Sequence, residues 1–115
     1  ANNGYILMGN PNDGAGDGRI RYNNSTREMS LWTAATERLT VDSSGNVGIG
    51  TTSPSTELHV NGAITSNDLF LTNEGKDPNM FDGTNGSWQI QEGSDDLFIM
   101  NKITGKKYKF KLEEI

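Results

Sequence analysis

Leu39 to Ile49 reads LTVDSSGNVGI. Leu39 and Val41 alternate with Thr40, Val47 and Ile49 flank Gly48, and the polar run Asp42-Ser43-Ser44-Gly45-Asn46 separates the two arms. A two-residue period on either side of a polar, glycine-containing turn predicts a β-hairpin, in which Gly45 takes the positive φ of a bulged turn. Gly48 and Gly50 occupy alternate positions of the second arm, so one face of that strand is nearly bare and another stretch of backbone can approach it closely. Pro54 then interrupts regular pairing, Leu58 and Val60 restore the alternation, and Asn61-Gly62 turns the chain again. Residues 47–64 are therefore expected to form an extended, ordered connector.

The same alternation recurs on both sides of the connector. At an offset of 68, Gly18 to Thr33 (GRIRYNNSTREMSLWT) lies over Gly86 to Asn101 (GSWQIQEGSDDLFIMN). Ile20 and Tyr22 then fall on Trp88 and Ile90, and Met29 and Leu31 on Leu97 and Ile99, with a polar turn between the pairs. Offsets of 64 and 69 place Tyr5 to Met8 on Leu69 to Thr72, and Leu39 and Val41 on Tyr108 and Phe110. The pattern predicts two copies of a four-strand module, about residues 5–42 and 69–112, stacked along an axis. It divides the chain into a first β module at 1–46, the connector at 47–64 and a second β module at 65–115. Ser30 to Leu39, with β-branched residues and two alanines, fits a helix or strands. Lys107 to Leu112 (KYKFKL) predicts a strand with apolar residues on one face and lysines on the other. With a net charge of −5, those lysines are expected to be a solvated outer face that discourages edge pairing, not a stripe for an anionic polymer.

Leu, Ile, Val and Phe together supply 23 of the 115 residues, near the ~20% level below which chains tend to stay disordered. A large private core is thereby excluded. Both faces of Leu97-Phe98-Ile99-Met100 are apolar, and in Met29-Ser30-Leu31-Trp32 the second face carries Trp32. A lone thin sheet would leave one of those faces wet, whereas another subunit would cover it. Trp32, Phe98 and Met100, with Val47 and Ile49 beside the bare glycine face, are the expected inter-subunit contacts. The alternative is a single two-layer sandwich.

The net acidity argues against a general nucleic-acid binder. There is no cysteine and hence no disulfide framework or thiolate site. No apolar run is long enough to span a membrane, and no targeting segment is visible. The start at Ala1, without an initiator Met, suggests a fragment or a processed chain. His59 is the only histidine, which leaves no multi-histidine metal site within one chain; it is expected to be a polar strand residue. Asn10 to Gly18 and Asp77 to Gly83 resemble calcium loops in composition but lack the twelfth-position Glu or the spacing, and read as exposed turns. Asp95-Asp96 and Glu113-Glu114 are adjacent in sequence, so in a strand each pair would point to opposite faces and not at one substrate. No catalytic motif is present, and neither an enzymatic activity nor a cofactor or metal is expected. Trp32, Trp88 and Tyr5 are candidates for stacking on a sugar ring; Trp88 reads equally as core and Trp32 as interface.

Glu37 to Gly62, ERLTVDSSGNVGIGTTSPSTELHVNG, resembles a stretch found repeatedly in bacteriophage tail fibres and tail spikes, and the likeness covers 26 of 115 residues. There, a strand ending hydrophobic-Thr-hydrophobic-Asp runs into Ser-Ser-Gly-Asn-Val-Gly-Ile-Gly-Thr-Thr-Ser-Pro and then into a strand containing Leu-His-Val. Gly18 to Tyr22 fits the same neighbourhood. The resemblance implies an all-β fold of short-stranded modules in a homotrimeric, fibre-like assembly around a threefold axis. It also implies a location in the virion tail, outside the host cell. In many such proteins a self-cleaving intramolecular chaperone domain follows; this chain ends at Ile115 without room for one, either because it was removed or because this fibre has none. The implied partners are other copies of the chain, other virion tail proteins and a host-surface glycan or protein. Recognition is expected in two exposed, glycine-rich loops, through Asn12, Asp13 and Asp17 in the first and Lys76, Asp77, Asn79, Asp82 and Asn85 in the second. The competing readings are a carbohydrate-binding module of a secreted protein and a virion decoration or head-fibre protein without a receptor.

Overall fold

The computed structural model describes residues 2–9 and 17–115, all strand, turn and irregular segments. Among the described residues ten strands form two sheets, an all-β arrangement. It divides into two compact units, Ala1–Ile64 and Thr65–Ile115, each built on one sheet. The first sheet holds β1 (Gly4–Met8), β2 (Gly18–Asn23), β3 (Glu28–Thr33), β4 (Thr36–Val41), β5 (Val47–Ile49) and β6 (Leu58–Val60), side by side in chain order. The second holds β7 (Asp68–Thr72), β8 (Ser87–Glu92), β9 (Leu97–Asn101) and β10 (Lys107–Lys109), also in chain order. The runs β1 to β4 and β7 to β10 are both antiparallel meanders and occupy the residues that the sequence offsets superimpose.

Residues 47–64, expected as a connector between modules, instead extend the first sheet. β5 pairs antiparallel with β4, and β6 pairs parallel with β5 through Val47–Leu58, Gly48–His59 and Ile49–Val60. The hairpin turn is fixed by Asp42, whose carboxylate accepts the backbone N–H groups of Ser44 (2.8 Å) and Asn46 (2.9 Å), while Gly45 adopts a φ of 89°. The nearly bare face of β5 is approached by this chain's own backbone: a Cβ on Gly48 would collide with the carbonyl oxygen of Thr51. Ser30 to Leu39 resolves into β3 and β4, joined by Ala34 and Ala35, both at positive φ (49° and 55°). Two consecutive left-handed residues are what a tight two-residue hairpin loop matching strand twist requires. The C-terminal strand ends at Lys109, short of the expected Leu112. Its partner β9 begins at Leu97, which takes one further bond from the Phe110 N–H, and beyond that point no strand edge remains to pair with.

Pleat and register divide the first sheet into unlike faces. One carries the continuous row Ile6, Ile20, Leu31, Leu39, Ile49 and Val60, all cross-strand neighbours. The other carries Arg19, Arg21, Ser30, Trp32, Glu37 and Thr40. A bulge between Leu31 and Trp32 leaves Arg38 unpaired in β4 and rotates Glu37 to the side of Thr40. Glu37 can then accept the Thr40 hydroxyl and meet Arg21 at 3.2 Å. Trp32 donates its indole N–H to Ser30 at 2.8 Å beneath the Arg19 guanidinium, 3.8 Å from the ring centroid. The outcome inverts the usual arrangement: Ser30 and Thr40 are 1% exposed, whereas no hydrophobic residue among those described is buried.

Candidate functional site

The β7–β8 connection, residues 73–86, is a long loop in which polar side chains turn inward on the backbone. Asn79 is its centre. Its side-chain oxygen accepts the N–H groups of Phe81 (2.9 Å) and Asp82 (3.1 Å), and its side-chain amide donates to Asp82 (2.7 Å) and to the Thr84 carbonyl (2.9 Å). Asp82 in turn accepts the hydroxyl (2.7 Å) and N–H (3.0 Å) of Thr84. Gly83, at φ 70°, returns its N–H to the Asn79 carbonyl at 2.9 Å, a conformation that suits glycine. Asn73 ties the base of the loop by accepting the Gly86 N–H at 2.6 Å and donating to the carbonyls of Asp77 and Thr84, each at 3.2 Å. Together with Trp88, these groups line a shallow depression of about 620 Å³. The tip of the loop is apolar, with Met80 91% and Phe81 95% exposed.

The bonds at Asp82 set its acid response. The Thr84 hydroxyl, then the Thr84 N–H and the Asn79 amide, lower its pKa below the ordinary 3.8. The Asn46 N–H leads the same effect at Asp42. A depressed folded-state value means that the stabilisation is complete above the unfolded value and is lost as the pH falls through the folded one. Acidification below about pH 4 is therefore expected to move the Phe81 and Thr84 amide NMR signals toward random-coil positions. In Asp82→Asn those signals should lose this acid response, while the Asn46 signal, governed by Asp42, keeps it. Equal acid response of Thr84 in both proteins would exclude the Asp82 linkage.

Of the residues expected from sequence to contact a receptor, Asn12 and Asp13 lie outside the described residues. Asp17 is exposed, and its backbone carbonyl accepts the Ala35 N–H at 3.1 Å. Asn79 and Asp82 are engaged in holding the loop's shape, and Asn85 donates at 3.4 Å to the carbonyls of Asn73 and Lys76. Lys76 and Asp77 are exposed. Met80 and Phe81, which are not among those expected contacts, are the most exposed large hydrophobic side chains of this loop. Their signal was an apolar pair set within a polar, glycine-rich run.

The expected interface residues fall into separate groups. Val47 and Ile49 belong to the apolar face of the first sheet, and Trp32 lies on its opposite, hydrogen-bonded face. Phe98 and Met100 share a face of the second sheet with Phe70, Gln89, Gln91 and Lys107. There Gln89, Gln91, Phe98, Met100 and Lys107 line a depression of about 380 Å³. The other face carries Leu69, Leu71, Ile90 and Ile99, and Trp88 packs 6.0 Å from Tyr108. His59 accepts the Ser55 N–H at 3.3 Å and so holds the β5–β6 loop. Among the described residues no group of three or more His, Cys, Asp or Glu is gathered to hold a metal ion, and no helix is long and apolar enough to cross a membrane. No protein-family model matches the chain, and no curated protein matches it.

Proposed function

We propose that the chain is a noncatalytic structural and host-attachment segment of a bacteriophage tail fibre, assembled as a homotrimer whose subunits complete one another's cores. One observation carries this reading. The first sheet buries hydroxyl groups and leaves its six-strand aliphatic row open on a chain with no buried hydrophobic residue among those described. A monomer of this kind forgoes the main favourable term in folding, whereas three copies facing a common axis recover it. The likeness of Glu37 to Gly62 to tail-fibre sequence supplies the biological setting, a virion tail outside the cell. Attachment would fall to exposed polar groups of the loops, Lys76 and Asp77 in particular, with three copies adding avidity to weak individual sites.

Solution mass tests the assembly. The folded protein at micromolar concentration should sediment at three times the 12.5 kDa chain mass; a folded monomer would overturn the proposal. Within a trimer, replacing Lys76 and Asp77 by Ala should abolish binding to host cells without changing the mass.

A further inference from the structure

We propose that the Met80–Phe81 tip of one chain docks into the Phe98–Met100 depression on the second sheet of another copy. Three observations lead there. First, the loop is braced from within: Asn79 fixes the Phe81 and Asp82 N–H groups, Asp82 fixes Thr84, and the two apolar side chains are left facing solvent. A rigid loop loses little freedom when an aromatic residue at its tip is captured, which is the design of an interface anchor. Second, the depression is lined on its apolar side by Phe98 and Met100 and holds about 380 Å³, ample for a phenyl ring given that a cavity of about 150 Å³ accepts benzene. Third, the charges match. The loop carries Glu74, Asp77 and Asp82 against Lys76 alone, and Lys107 lines the depression, with Lys102, just past the end of β9, bonded to Gln89 at 3.5 Å.

The occupant comes from a second copy. The loop leaves its own sheet at the Thr72–Ser87 end, the depression lies over Gln89 and Gln91, and Phe81 is 95% exposed in the single chain. Knob and hollow are different patches of one chain, so the contact is heterologous, and in a closed trimer it would repeat three times around the ring. The inference rests on the homotrimer reading and specifies one of its contacts.

A chain without cysteine makes the test clean. Phe81→Cys combined with Gln91→Cys should, on mild oxidation, give disulfide-linked dimers and trimers on a non-reducing gel. Each single variant should give no trimer. Phe81→Ala, at a side chain with little intramolecular contact, should weaken association at least tenfold by sedimentation equilibrium while leaving the far-ultraviolet circular dichroism of the assembled protein unchanged. A trimer that forms without cross-linking and associates normally as Phe81→Ala would overturn the docking and leave the homotrimer standing. A protein that is monomeric throughout would overturn both. If Phe81→Ala instead stays fully trimeric and loses binding to host cells, the tip faces the host and the docking is wrong.

Discussion

Leu31→Asp is expected to abolish the proposed trimer and, with it, the strand content that the shared core would maintain. Leu31 sits mid-row between Ile20 and Leu39 and is 40% exposed in the isolated chain. If that face were wet, a carboxylate there would change stability by no more than about 0.5 kcal/mol, as surface substitutions generally do. If the face is covered by other copies, three unpaired carboxylates are brought into one apolar interface, each costing several kcal/mol in lost hydration. Two charges in near contact add their repulsion. Association should fall by several orders of magnitude, since about 1.4 kcal/mol is tenfold. Sedimentation velocity reads the mass and far-ultraviolet circular dichroism reads the strand content. A variant that remains trimeric would place the aliphatic row outside the interface, whatever holds the copies together.

How much of this was legible in the residues differs by physical cause. The Leu39 to Ile49 hairpin announces itself, because its alternation and its Asp-Ser-Ser-Gly-Asn turn specify the same local geometry. The Ser30 to Leu39 segment did not, because Ala34 and Ala35 stand where a tight hairpin loop favours Asn or Gly, and alanine's own preference is helical. Alternation marks Leu58 to Val60 as extended but carries no information about its partner, so the segment reads as a connector although β6 pairs with β5. The bulge at Arg38 is equally silent in sequence, yet it decides that Glu37 reaches Arg21 and Thr40. In the 73–86 loop, residue type misled. Asn79 and Asp82 have the chemistry of ligand contacts, and their hydrogen bonds are all directed at the loop itself, while Met80 and Phe81 have the chemistry of core and stand in water.

Gly48→Ala is expected to be the most destabilising single-methyl change in the first sheet. The Cβ would meet the Thr51 carbonyl oxygen well inside contact distance and the Thr51 methyl at 3.1 Å. Retreat of Thr51 is opposed on both sides of Gly50. The Gly50 N–H is bonded to the Arg38 carbonyl at 3.0 Å, and its carbonyl accepts the Asn61 side-chain amide at 3.3 Å. The obstacle is backbone, which cannot rotate away as a flexible side chain would, so the cost should reach the upper end of overpacking, about 3 kcal/mol. For a unit of this size that lowers the melting temperature by roughly 10–20 °C. Gly45→Ala is the matched control: its Cβ meets nothing within 4 Å, and only the φ of 89° opposes it, for a cost of about 1–2 kcal/mol. Thermal unfolding followed by circular dichroism should rank Gly48→Ala well below Gly45→Ala. Equal melting temperatures would mean that Thr51 does not press on β5.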